Sequence, residues 1–288
     1  MKTNKLFTLA ILVVLPFSVA AENDDSDAHE QASDKVIEQQ RLNLAENTRE
    51  EGFGPQSPRD IDSFSGSNTL NFNAAPESSE MSLCNIHFHK NAEHKGGEFT
   101  KYAGNGDGKG YFTGYEYSGQ LTEDELEPED SNVCPSEHGS LYSGDTIEVH
   151  YVYSTAKIKP GSTLGACFND AVVNPQLRVE AQVFVLVNDD DAGDFGELSE
   201  HELVDGLYQA VNIPDDTGTP VEYAGSTTGP NYNEKGSPFQ VTWSVRPKVA
   251  KVDIESVGDW CEGNVFEEDH AHGVRNLVTA PEMLSEIK

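Results

Sequence analysis

Cys84-Asn85-Ile86-His87-Phe88-His89 is answered about sixty residues later by Thr146-Ile147-Glu148-Val149-His150-Tyr151-Val152, and these two stretches decide how the chain is read. Side chains of a strand alternate between its faces, so His87 and His89 point one way with Asn85, and Phe88 points the other. In the second stretch the same alternation groups Glu148, His150 and Val152 against Ile147, Val149 and Tyr151. If the two are neighbouring strands, three imidazoles converge. Three neutral histidines leave the fourth position of a tetrahedral zinc open, which suits a catalytic site and not a closed structural one. Imidazoles also accept other late divalent metals, so zinc is the first expectation and not the only one. Asn85 and Glu148 stand where they can fix the ring tautomers.

A wider set of motifs surrounds this core. Glu93-His94 follows His87-Phe88-His89, then comes Glu148-Val149-His150; Gln56-Ser57-Pro58-Arg59-Asp60-Ile61-Asp62 lies upstream, and Tyr223-Ala224-Gly225-Ser226-Thr227-Thr228 with Val241-Thr242-Trp243 lies downstream. In identity and order these residues resemble the carbonic anhydrases of the α class. The interval between H-x-H and E-H is compressed, one residue is missing before the threonine pair, and Gln56 stands close to His87. With a cysteine ahead of H-F-H, that spacing looks more like the δ class, and α is the near alternative.

The resemblance implies a zinc enzyme that hydrates CO₂ reversibly to bicarbonate and a proton, using hydroxide generated at the metal. It implies His87, His89 and His150 as metal ligands, and Asn85, Glu148, His94 and Tyr223 as their supports, with His94 braced by Tyr223. Thr227 would pass its proton bond to Glu93, and Thr228 would contact bicarbonate. Val152 and Trp243 would form the apolar wall for CO₂, with Val183 or Val185 from a nearby strand. No organic cofactor is needed. The competing readings are a zinc-dependent esterase and a non-catalytic zinc-binding module of the same fold.

The chain opens with Lys2 and Lys5, an apolar run from Leu6 to Pro16, and small residues at Ser18, Ala20 and Ala21. Residues 1–20 thus read as a secretory signal peptide. No other stretch has the length and apolarity of a membrane span, so a periplasmic or secreted protein is expected. Residues 21–50 are acidic and poor in large apolar groups and read as a flexible tail, although Ser33 to Arg49 has helix propensity. Residues 51–288 are expected to form one domain, mainly β with few short helices, around a large, mostly antiparallel twisted sheet. The expected strands are Ser82–His89, Thr146–Tyr153, Leu177–Val187, Phe239–Pro247 and Val249–Val257, with a helix from Ser199 to Ala210.

The formal net charge is −31, which disfavours nucleic acid as a partner and fits a solvated acidic surface. Four cysteines without C-x-x-C spacing in an exported chain point to disulfides. Three connectivities are possible; the pairing expected is Cys84–Cys134 with Cys167–Cys261, tying the insert to the start of the metal strand. Asn105-Gly106-Asp107-Gly108-Lys109-Gly110 with Glu116 follows calcium-loop spacing superficially. Its lysine and lack of flanking helices make it a solvated turn instead. Asp189-Asp190-Asp191 is read the same way, and the second H-x-H, His270-Ala271-His272, as surface or C-terminal packing.

Overall fold

The computed structural model describes residues 31–129 and 131–288, so the signal-peptide reading of residues 1–20 lies outside the described residues. Five strands form the central sheet: β1 (Ser82–Lys90), β6 (Thr146–Ser154), β7 (Leu177–Val187), β10 (Val221–Ser226) and β11 (Gln240–Asp253). Their order is β1-β6-β7-β11-β10, antiparallel except for the β7–β11 pair. Three small hairpins decorate it: β2 (Lys101–Asn105) with β3 (Thr113–Glu116), β4 (Val133–Ser136) with β5 (Gly139–Leu141), and β8 (His201–Val204) with β9 (Leu207–Ala210). The helices are α1 (Asp34–Thr48), α2 (Phe195–Leu198) and α3 (Ile254–Glu262). None among the described residues is long and apolar enough to cross a membrane.

Strands β6 and β7 are buried along their whole length, because both faces of the sheet are covered. On one face Ile86, Phe88, Val149, Tyr151 and Phe184 pack against Phe195 and Trp260 from the two short helices. The other face holds the imidazoles, with Val152, Val179, Ala181 and Trp243 beside them. From Asn85 onward in β1, and throughout β6, alternation therefore assigns each residue to a hydrophobic layer or to the site layer.

Several expectations need correction. The Ser199–Ala210 helix is instead the β8–β9 hairpin. Asp205 and Gly206 both have positive φ, 51° and 84°, between the paired Val204 and Leu207, which is the two-residue Asp-Gly turn that suits a right-twisted hairpin. The two strands expected at Phe239–Pro247 and Val249–Val257 are one strand, β11. Its pairing to β7 jumps from Val245 to Val249, so the proline sits in an irregularity where no ladder N–H is required. That strand ends early, at Asp253, whose carboxylate accepts the Ser256 N–H at 3.1 Å and starts α3.

The disulfides are Cys84–Cys167 and Cys134–Cys261, not the expected pairs. An irregularity between Leu83 and Asn85 turns Cys84 into the site-face cluster, whereas Cys134 lies in the cluster behind the sheet. The sheet separates them. Each cysteine therefore pairs with the partner on its own side.

Over residues 34–48 the chain is helix α1 and not a flexible tail. Ile37 and Leu44 are buried, the latter against Val278, Met283 and Leu284. The calcium-like loop spends its groups internally: the Asp107 carboxylate accepts the Lys109 and Tyr111 N–H groups, Asn105 donates to Asp34, and Glu116 pairs with Lys101.

Candidate metal centre

His87 and His150 stand directly opposite each other across β1 and β6, and His89 stands opposite Glu148. Ala181 is the β7 partner of His150, and its small side chain leaves room for Trp243, whose ring centre is 4.9 Å from that of His150. One ligand nitrogen from each of His87, His89 and His150 lies within 4.8 Å of the other two.

The remaining nitrogen of each ring is held. His87 Nδ1 is 2.6 Å from Asn85 Oδ1, His89 Nδ1 is 3.0 Å from the Gly273 carbonyl, and His150 Nε2 is 2.9 Å from Glu148 Oε1. Each partner is an acceptor, so in the neutral rings the proton sits on the named nitrogen and the lone pair on the other. The lone pairs of His87 Nε2, His89 Nε2 and His150 Nδ1 then face one another. His87 Nε2 and His150 Nδ1 are only 3.2 Å apart, and buried His89 Nε2 has no hydrogen-bond partner among the described residues. A cation bound by all three would relieve both, so the donor set fits a late divalent metal. Burial, reinforced by the neighbouring imidazoles, holds His87 well below 6.5; burial, opposed by Glu93, brings His89 to about 4.

Behind the rings lies a second polar layer. Glu148 is fully buried; besides His150 it accepts from His94 Nδ1 at 2.6 Å and from the His94 main-chain N–H at 3.1 Å. Burial favours the neutral acid, but His94 and His150 hold the carboxyl well below the usual range. His94 Nε2 is 2.6 Å from the Tyr223 hydroxyl, which donates to Ser57 Oγ at 3.1 Å.

Glu93 and Thr227 are arranged differently from the expectation. Glu93 Oε1 accepts the Arg275 main-chain N–H at 2.9 Å, while Thr227 Oγ1 is 2.7 Å from Ser237 Oγ. The Thr227 N–H donates to the Phe239 carbonyl just past the end of β10, which sets its hydroxyl beside Ser237 and not Glu93.

A cavity of about 360 Å³ opens over the imidazoles. Its apolar lining includes Val152, Leu164, Leu177, Val179, Val241 and Trp243, and its polar lining includes Tyr111, Thr227, Thr228, Asn231, Glu268 and His272. Val183 and Val185 share a strand face with Val179, but they pair with Glu148 and Thr146, beyond the cavity, so the expected wall moves to Leu177 and Val179. His272 also departs from the expectation of surface packing. It lines the cavity, 2.7 Å from Glu268 Oε2, with its ring centre 5.7 Å from that of His87. Nothing in the sequence near His272 announces this, since its place is set by bridging to β1 at His89.

The sequence model of the family described as Delta carbonic anhydrase matches residues 78–256, more than half of the chain. No curated protein matches. Solved structures similar to this chain include a hyperthermostable carbonic anhydrase from an active hydrothermal vent chimney, at 14% identity and a TM-score of 0.29, covering 80% of this chain and 87% of that one. The α-carbonic anhydrase of Thermovibrio ammonificans, in complex with sulfanilamide, gives 16%, 0.27, 78% and 84% in the same order. That of Photobacterium profundum gives 18%, 0.28, 87% and 98%. The matched residues contain all three convergent imidazoles, Glu93, Glu148 and the threonine pair, and on that match the chain belongs to the delta carbonic anhydrase family.

Proposed function

We propose that the protein is a zinc enzyme that hydrates CO₂ reversibly, and that His87, His89 and His150 hold the metal. The observation that carries this reading is the convergence of three imidazole lone pairs, each fixed by an acceptor on the opposite nitrogen, at the floor of a half-apolar cavity. Bound there, zinc supplies a nucleophile from water near neutral pH and a positive charge for the carboxylate that forms.

The chain's own residues do the rest. Asn85, the Gly273 carbonyl and Glu148 keep the three rings in the tautomers that face the metal. His94 and Tyr223 brace Glu148 from behind. Val152, Leu177, Val179 and Trp243 give CO₂, which has no net dipole, a dry surface beside the site. Thr227, fixed through Ser237, and Thr228 offer hydroxyls to the polar product. The two disulfides indicate an oxidising compartment, which agrees with export directed by residues 1–20.

Stopped-flow CO₂ hydration tests the proposal on the mature protein before and after metal stripping, with His150→Ala alongside. Activity should vanish on stripping, return with zinc and be absent from the variant. A folded, zinc-loaded protein without hydration activity would refute it.

A further inference from the structure

Helix α1 precedes the residues that define the family and contributes no group to the cavity. Buried Ile37 and Leu44 anchor it to the domain. Three polar residues, Gln40, Asn43 and Asn47, follow one another at i, i+3 and i+7 and so share a face of the helix. Gln40 Nε2 donates to the Gly108 carbonyl at 2.7 Å, and Gln40 Oε1 accepts from Asn276 Nδ2 at 2.6 Å. Asn43 Nδ2 donates to Glu234 Oε1 at 2.6 Å and Asn47 Nδ2 to the Glu234 carbonyl at 2.7 Å.

Those bonds reach three loops far apart in sequence, and each loop supplies part of the cavity wall: 105–112 carries Tyr111, 229–237 carries Asn231, and 272–276 carries His272. The loops are also joined to one another. The Val274 N–H donates to the Gly110 carbonyl at 2.7 Å, and the Asn276 N–H donates to Asn233 Oδ1 at 2.7 Å. The chain of bonds ends at the site itself, because the Gly273 carbonyl is the acceptor that fixes the His89 tautomer.

We propose that α1 is a clamp across the rim of the cavity, and that Gln40, Asn43 and Asn47 are positioning residues that set the loops carrying Tyr111, Asn231 and His272 and the carbonyl that orients His89. The catalytic half of this proposal rests on the reading of the cavity as the hydration site. Without the four side-chain bonds, buried Ile37 and Leu44 still dock the helix and Asn105 still donates to Asp34, but Gly108, Glu234 and Asn276 lose their common strut.

The test uses the full zinc-loaded protein and the triple variant Gln40→Ala, Asn43→Ala, Asn47→Ala. Alanine has the highest helix propensity, so the change removes the bonds without weakening the helix. Segment-resolved amide hydrogen exchange and CO₂ hydration are measured together. Exchange around Gly108, Glu234 and Val274 should rise about tenfold or more while β6 and β7 stay protected, and kcat should fall. Gln40→Glu keeps the acceptor for Asn276 but loses the donor to Gly108, so it should loosen residues 105–112 alone. Unchanged exchange in the three loops of the triple variant would overturn the clamp. Faster exchange with wild-type hydration would overturn the role of α1 in positioning the site. If the wild type hydrates no CO₂, the hydration reading fails, and the exchange pattern still decides the clamp.

Discussion

Glu148→Gln tests the layer behind the metal site with almost no change in shape. The carboxylate accepts three N–H groups: His94 Nδ1 and His150 Nε2 on one oxygen, and the His94 main chain on the other. A glutamine has one acceptor oxygen. Placed toward the two rings, it leaves its amide hydrogens facing the His94 N–H; flipped, it sets them against both imidazole donors. Either way at least one donor is buried without an acceptor, at a cost of about 1–3 kcal/mol, and the charge assistance is lost as well. The His150 ring is then free to turn or change tautomer, so zinc affinity should fall about 10–100-fold. Competition with a chromophoric chelator measures the affinity, and urea unfolding of the metal-free protein measures the stability. Wild-type zinc affinity together with an unchanged unfolding midpoint would refute the view that Glu148 sets the His150 nitrogen.

Two further outcomes follow from the same structure. In the metal-free fold His89 is brought from 6.5 to about 4, first by burial, so the unfolded chain binds a proton that the fold refuses. Its contribution to stability is full above pH 6.5 and is lost as pH falls through the folded value, with a slope of about 1.4 kcal/mol per pH unit for one such proton. Urea titrations across this window should give a shallower slope for metal-free His89→Ala; an equal slope would show that His89 takes no part. Removal of Cys134–Cys261, which closes 127 residues of chain, by the double variant Cys134→Ser, Cys261→Ser should lower stability by about 2–5 kcal/mol in denaturant titrations beside the wild type. An unchanged midpoint would mean that packing alone holds α3 to β4.

Residues were legible in the sequence where strand alternation fixes them. His87, His89, Asn85, Glu148 and His150 share a face by periodicity alone, and the structure gathers them on one side of the sheet. Periodicity says nothing about position along a strand. The expectation therefore names Val183 and Val185 on the right face, and only the pairing of Val179 with Val152 brings Val179 to the cavity in their place. Contacts between distant segments were equally hidden: His272 reaches the cavity through a bridge to β1, and the disulfide partners follow from which side of the sheet each cysteine faces. The β8–β9 hairpin had a local signal in Asp205-Gly206, but helix propensity over Ser199–Ala210 masked it. Helix α1 lacks an extensive apolar face, and it is held by two buried residues and a row of amides that no composition argument weighs.

The two metal strands use one device with different lengths. Asn85 and Glu148 each stand two residues before a histidine on the same face, yet Asn85 takes the inner nitrogen of His87 and Glu148 takes the outer nitrogen of His150. The extra methylene of glutamate accounts for the difference in reach. It matters because His87 and His150 are direct cross-strand partners, whose β-carbons stand only about 4.5–5.5 Å apart. Two such rings offering the same outer nitrogen would extend side by side. With His150 turned to offer its inner nitrogen, the pair closes on one point and leaves the third corner to His89, one step along β1. The asparagine and the glutamate are therefore as much a part of the metal-site pattern as the histidines they precede.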